Sequence, residues 1–134
     1  MSTTTYQPPD KIDASSIDDE HRIQMGLLNA LEDAVNDKKP ASEINEILNQ
    51  LTTYSELHFM SEELLMRMYA YPDYEDHVND HEAMTEYLNE IMKTVTSGQD
   101  SMALKTASDM RQFLVSHIGT RDKAFSEYLN KVQA

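Results

Sequence analysis

The chain contains no cysteine, and this absence removes several kinds of chemistry at once. Disulfide bonds, thiolate zinc sites, iron–sulfur clusters and thiol nucleophiles are all excluded, because each of them requires a cysteine sulfur. Any metal ion that this chain binds must therefore be held by nitrogen and oxygen atoms.

Glycine and proline are scarce as well, with three and four residues among 134, while Leu, Met, Glu, Asp and Ala are common. This composition, with 40% apolar residues, is typical of a compact helical protein and not of a disordered one. A chain of this length buries roughly two thirds of the surface that its unfolded form exposes, so it needs no metal merely to fold. We predict an all-α fold in a single domain that spans residues 1–134.

Long apolar runs are absent too. No uninterrupted apolar stretch approaches the roughly 18 residues that a membrane-spanning helix needs, and the N-terminus has no basic start followed by an apolar segment. We therefore expect no membrane insertion and a cytoplasmic location.

Positive charge is in short supply, since 11 basic residues face 24 acidic ones and the formal net charge is −13. Such a surface repels phosphate backbones and anionic lipids. We therefore expect no nucleic-acid partner, and most of the acidic residues should simply be solvated.

Apolar residues recur at steps of three and four along four segments, which is the spacing of one helix face. The predicted helices span about 18–37, 42–70, 73–97 and 101–130, with proline or glycine between successive segments. Four helices joined by short loops favour an antiparallel up-down-up-down four-helix bundle. Residues 1–16 are polar, contain Pro8-Pro9 and predict an extended N-terminal arm.

All five histidines lie on the predicted helices at spacings that suit metal binding. Side chains four residues apart leave the same helix face, and two such pairs occur. Most of these polar residues lie on the same helix faces as the core Leu, Ile and Met, so they should point inward. In an antiparallel bundle they should then meet towards one end. The candidate ligands are His21, His58, Glu62, His77, His81, His117 and Asp122.

Buried imidazoles and carboxylates require a positive centre, because an unpartnered buried carboxylate costs several kcal/mol. Seven ligands are too many for one tetrahedral zinc ion. A mixed nitrogen and oxygen set suits two iron or manganese ions, with zinc and copper as competitors. The residues alone therefore predict a dinuclear site and leave its metal open.

The step from His117 to Asp122 does not fit a regular helix, because five residues turn the chain through about 140° beyond one full turn. Gly119 lies between them, and we expect a local distortion of the helix there. Asp18, three residues before His21, either orients the ring of that histidine or caps the first helix.

From Ile17 to Leu129 the chain resembles the hemerythrin family, specifically the single-domain bacterial hemerythrins. The resemblance rests on IDDEH ending at His21, HFMSE from His58, HVNDH from His77, and LVSHIGTRD ending at Asp122, all in family order. It implies two non-haem iron ions with a solvent-derived oxo or hydroxo bridge, which bind O2 reversibly. By that likeness His77, His81 and His117 would hold one iron, His21 and His58 the other, and Glu62 and Asp122 would bridge the pair.

The same resemblance implies an apolar oxygen pocket that contains Leu114, Ile118 and Phe59. Leu114 precedes His117 by one helical turn. A dry pocket keeps the reaction reversible, because access of protons would leave the irons ferric. Ordinary core packing is the alternative for all three residues. The family commonly has tryptophan beside the Leu114 position, whereas this chain has Phe113 and no tryptophan.

Reversible O2 binding for storage, transport or delivery is the function that the resemblance favours, and the protein would then not be an enzyme. The alternative is a di-iron enzyme that reduces O2, peroxide or nitric oxide, or an O2 or redox sensor that acts through a separate partner. Partners would be O2 itself and an O2-consuming enzyme or an electron donor. Ferritin-like storage and zinc peptidase chemistry are disfavoured, because the chain has neither a Glu-x-x-His pair nor an HExxH motif.

Overall fold

The computed structural model describes the backbone of residues 14–133 and the side chains from residue 20 onward. Residues 1–13 of the expected arm and the side chain of Asp18 lie outside these residues. The helices are α1 (Ala14–Asn36), α2 (Ala41–Met68), α3 (Tyr74–Thr96), α4 (Asp100–His117) and α5 (Lys123–Val132), with a π-helical turn (Ile118–Asp122) between the last two. No β-strand occurs in this described part, and the predicted all-α class is confirmed. The first helix begins at Ala14, inside the segment that was expected to form an extended arm.

Each of α1, α2, α3 and α4 packs against two others, so that the four helices close into a ring. Successive helices are joined by short turns and therefore run antiparallel, as the sequence predicts. The last helix, α5, continues from the π turn and packs back against α1. The architecture is a four-helix bundle whose fourth helix is extended by α5.

The first three helices end in the same way, with one residue in the left-handed region. These residues are Lys38 (φ 55°), Ala70 (φ 51°) and Gly98 (φ 74°). In each case the next N–H donates back across the turn to a carbonyl of the last helical turn, from Lys39 to Ala34 (3.0 Å), from Tyr71 to Met66 (2.9 Å) and from Gln99 to Thr94 (2.8 Å). This is the Schellman motif, which satisfies carbonyls that a helix end would otherwise leave unpaired.

The apolar interior has separate clusters above and below the histidines. The larger cluster fills the half of the bundle where α1 ends and α2 begins, and it includes Leu28, Leu51 and Leu88. A smaller cluster joins Met66 and Tyr71 to Phe125 of α5. The polar residues lie between the two, so they sit inside the bundle and not at its open end.

The π turn explains the five-residue step between His117 and Asp122. A π turn closes i to i+5 hydrogen bonds, so it holds one more residue than an α-helical turn. The dihedral angles of Ile118 and Lys123 are right-handed helical, and the chain keeps its direction throughout. The expected distortion is confirmed. Gly119 does not cause it sterically, because a Cβ atom built there would meet nothing within 4 Å.

Candidate metal centre

The structure brings all seven predicted ligand residues together at one level of the bundle. Each is buried, and the most accessible of them, His21, is only 5% exposed. Every helix of the ring contributes, because on each helix the histidines lie on the same face as the buried apolar residues. The contributions are His21 from α1, His58 and Glu62 from α2, His77 and His81 from α3, His117 from α4, and Asp122 from the π turn.

The ligand atoms form two overlapping groups, and within each group they lie within 4.8 Å of one another. Both carboxylates belong to both groups, whereas each histidine belongs to only one. One group contains Glu62, His77, His81, His117 and Asp122, and the other contains His21, His58, Glu62 and Asp122.

Each carboxylate directs one oxygen atom to each group. Glu62 Oε1 lies 2.5 Å from His77 Nε2 and 3.0 Å from His81 Nε2, while its Oε2 lies 3.7 Å from His58 Nε2. Asp122 Oδ1 lies 2.9 Å from His77 Nε2, and Oδ2 lies 2.6 Å from His21 Nε2. This is the arrangement that carboxylates adopt when they bridge two cations.

Several of these close atoms do not form hydrogen bonds with one another. Glu62 Oε2, both oxygens of Asp122, His117 Nε2 and His21 Nε2 are buried and have no hydrogen-bond partner among the described residues. Buried polar atoms in folded proteins are nearly always satisfied, so lone pairs that converge without donors indicate a site that could hold cations. The donor set, five imidazoles and two carboxylates, fits two cations that accept nitrogen and oxygen ligands.

A second layer of carboxylates holds three of the histidine rings. His58 Nδ1 donates to Glu20 (3.1 Å), and His81 Nδ1 donates to Glu63 (2.8 Å). In the same way His117 Nδ1 donates to Asp80 (2.8 Å), which also accepts from Arg121 Nε (3.2 Å). A proton on Nδ1 leaves Nε2 free to bind metal, and such partners normally fix the rings of metal-bound histidines.

Sequence reasoning missed these three carboxylates and treated them as solvated surface acids. The available signal was adjacency, because Glu20, Glu63 and Asp80 each lie next to a predicted ligand in the chain. Adjacency alone does not give the partner, since Glu20 precedes His21 but contacts His58. For His21 and His77, Nδ1 has no hydrogen-bond partner among the described side chains.

Without a metal, protons on His58 and His77 supply positive charge, because the neighbouring carboxylates raise the pKa of both rings against the effect of burial. Burial alone would lower the pKa of His77, but Asp122 and Glu62 outweigh burial and raise that pKa to about 9. Burial would raise the pKa of Asp122, yet the neighbouring imidazoles of His117, His21 and His77 hold it far below its usual range. A metal ion would take the place of these protons.

The three predicted pocket residues belong to one apolar cluster beside the ligands. Phe59 and Leu114 are buried in it with Met84, and Ile118 packs against them. The Phe59 ring stacks on His81 with a centroid separation of 4.3 Å and an interplanar angle of 15°. Ile118 also lines a cleft of about 350 Å³ that reaches His21 and Asp122 between α1 and α5. The larger groove of about 700 Å³ between α1 and α2 contains none of the seven residues.

The fold and the site together define a helical bundle with a cation centre of histidines and carboxylates. Residues 13–129 match the family model of the hemerythrin HHE cation binding domain, and the chain therefore belongs to the hemerythrin family. This membership confirms the resemblance inferred from the sequence motifs.

Two curated relatives carry the name bacteriohemerythrin. The protein from Methylococcus capsulatus is 29% identical over 113 residues, which are 84% of this chain and 86% of the relative. The protein from Stenotrophomonas maltophilia is 28% identical over 128 residues, which are 95% of this chain and 82% of the relative. Within the described residues, no helix is both long enough and apolar enough to cross a membrane.

Proposed function

We propose that the protein binds O2 reversibly at two non-haem iron ions, for oxygen storage, transport or delivery. The observation that carries this proposal is the pair of ligand groups that share both carboxylates but differ in their histidines. Family membership and the two bacteriohemerythrin relatives support iron and O2 over the other cations that the same donors accept.

In this proposal His77, His81 and His117 hold one iron, and His21 and His58 hold the other. Glu62 and Asp122 would bridge the pair, together with an oxo or hydroxo group derived from solvent. When bound, the irons supply the two electrons that O2 takes up and recover them when it leaves. The group with only two histidines offers fewer protein ligands, so its ion would be the one with a position free for O2.

The chain's own residues then perform two tasks. Glu20, Glu63 and Asp80 fix the rings of three histidines, so that the donor atoms keep their positions when O2 binds and leaves. Leu114, with Phe59 and Ile118, keeps the pocket apolar and slows the entry of protons. The protein is then a binding protein and not an enzyme, with an O2-consuming enzyme or an electron donor as its partner.

The test is a visible absorption spectrum of the iron-loaded protein, recorded under anaerobic reduction, after O2 is added and after O2 is removed. A charge-transfer band that appears with O2 and disappears on its removal supports reversible binding. A band that decays only to a ferric spectrum would refute the carrier proposal in favour of an oxidase or peroxidase.

Metal analysis of a ligand variant checks the assignment of the residues. His77→Ala should lose iron, because this buried imidazole contacts both carboxylates. Asp109→Asn is the matched control, since Asp109 is half-exposed, lies outside the seven residues and pairs with Lys105 at the surface. Retention of two irons by His77→Ala would contradict the assignment. The cytoplasmic location stays a prediction, which cell fractionation would test.

A further inference from the structure

Gln24 and Ser55 form a buried polar pair that none of the seven ligands contacts through a hydrogen bond. Gln24 Nε2 donates to Ser55 Oγ at 3.0 Å, and both side chains are completely buried, at 0% exposure. The other atom of the amide, Gln24 Oε1, has no hydrogen-bond partner among the described residues. A buried amide with one unused polar atom is unfavourable unless something else occupies that atom.

The pair lies one helical turn from the centre, on the side of His21 and His58. Gln24 follows His21 by three residues, and Ser55 precedes His58 by three. Side chains three residues apart on a helix are neighbours, and each leans towards the N-terminus of its helix. The Gln24 side chain therefore leans back towards His21.

The corresponding positions on the other two helices are apolar. Met84 follows His81 by three residues, and Leu114 precedes His117 by three; both are buried in one apolar cluster. The layer beside the centre is therefore polar next to His21 and His58 and apolar next to the other three histidines. The polar half coincides with the group that has fewer histidines.

We propose that Gln24, anchored by Ser55, hydrogen-bonds to a small ligand bound at the ion that His21 and His58 hold. This inference rests on the proposed function, which leaves the open position at that ion. A serine hydroxyl can accept or donate, so the amide can turn over and present either Oε1 or an N–H group to the ligand. Gln24 therefore favours ligands that offer a hydrogen-bonding atom once they are bound, and small anions above all.

Azide binding to the diferric protein tests this selection, because azide is a small anion whose binding is visible in the absorption spectrum. Gln24→Leu should raise the azide Kd about three- to tenfold, which is the range expected when one hydrogen bond is lost, and it should retain two irons. Ser55→Ala should weaken azide binding less, because the amide stays and only its anchor is removed. Gln24→Met, unbranched like glutamine, must agree with Gln24→Leu.

Thr94→Val is the matched control, because Thr94 is a buried polar residue of α3 that bonds only to backbone carbonyls of its own helix. Its azide Kd should equal that of the wild type. Thermal unfolding of the metal-free variants separates the proposal from a purely structural role for the pair. If Gln24→Leu lowers Tm while its azide Kd stays within twofold of the wild type, the pair only joins α1 to α2 and the inference is wrong.

The remaining outcomes distinguish this inference from the proposed function. A wild-type diferric protein that binds no azide would overturn the open coordination position and, with it, the role of Gln24. A Gln24→Leu protein that binds azide and O2 like the wild type would overturn the inference alone. Loss of iron from Gln24→Leu would also overturn it, since the residue would then hold the centre together and not face a ligand.

Discussion

Removal of the metal should reverse the way in which the stability of this protein depends on alkaline pH. In the metal-free protein, the pKa of the fully buried His77 rises from 6.5 to about 9. A pKa raised in the folded state means that the protonated imidazole stabilises the fold. This contribution is fully present below pH 6.5 and is lost as the pH rises towards 9, and it is on the order of 3 kcal/mol.

Acidic pH should destabilise the same metal-free protein for the opposite reason. The pKa values of Asp122 and Glu62 are lowered on folding, from ordinary values of 3.8 and 4.5. Their stabilising contribution is present above those values and is lost as the pH falls. The metal-free protein should therefore be most stable between about pH 4.5 and 6.5.

Urea unfolding of chelator-treated protein at about pH 5.5, 7.5 and 9 measures this dependence. The free energy of unfolding should fall between the first and last points, and His77→Gln should remove most of the fall. With metal present, the pH dependence of stability has the opposite sign. Imidazoles must lose their protons to bind metal, so the apparent metal affinity should rise over the same pH range. Metal-free protein whose stability is flat or rising from pH 6.5 to 9 would refute the assigned charge on His77.

Three further predictions concern single side chains. Leu114→Ala should cost about 2–5 kcal/mol of stability and speed oxidation of the reduced irons while iron content stays unchanged; equal oxidation rates would exclude Leu114 from the pocket. Glu63→Gln should lower metal affinity about 10- to 100-fold in chelator competition, since it weakens the partner of His81, whereas exposed Glu46→Gln should not. Tyr128→Phe removes a hydroxyl that donates to a backbone carbonyl at 2.6 Å and should cost about 1 kcal/mol in urea unfolding.

The helices and the clustering of the seven candidate ligands were predictable because both depend on periodicity. A buried histidine on the helix face of the core leucines has few possible roles. Five such histidines on one chain have fewer possible roles still. The helix ends were less predictable. Gly98 marks one end by its residue type, but Lys38 and Ala70 adopt the same left-handed conformation without being residues that favour it.

The carboxylates around the centre could not be assigned from the sequence for a different reason. Glu63 and an exposed acid such as Glu56 have the same local pattern, and only the packing of α2 on α3 decides which one meets a histidine. Gln24 follows His21 by three residues and precedes Leu28 by four, so the helical period places it on the buried face of α1, although glutamine normally faces solvent. Its hydrogen bond to Ser55 depends on how α2 packs against α1, and the sequence of one helix does not give that packing.

The π turn gives the last helix one residue more than its path through the bundle requires. Removing one residue from this turn, for example Gly119, would restore a regular α-helix and leave the faces of α5 that carry Phe125 and Leu129 in place. The apolar packing of α5 therefore does not need the extra residue. The position of Asp122 does need the extra residue. In a regular helix this carboxylate would follow His117 by four residues, and that spacing would fix its distance to both ligand groups. The extra residue of the π turn thus serves the placement of Asp122 beside the histidines and not the packing of the last helix.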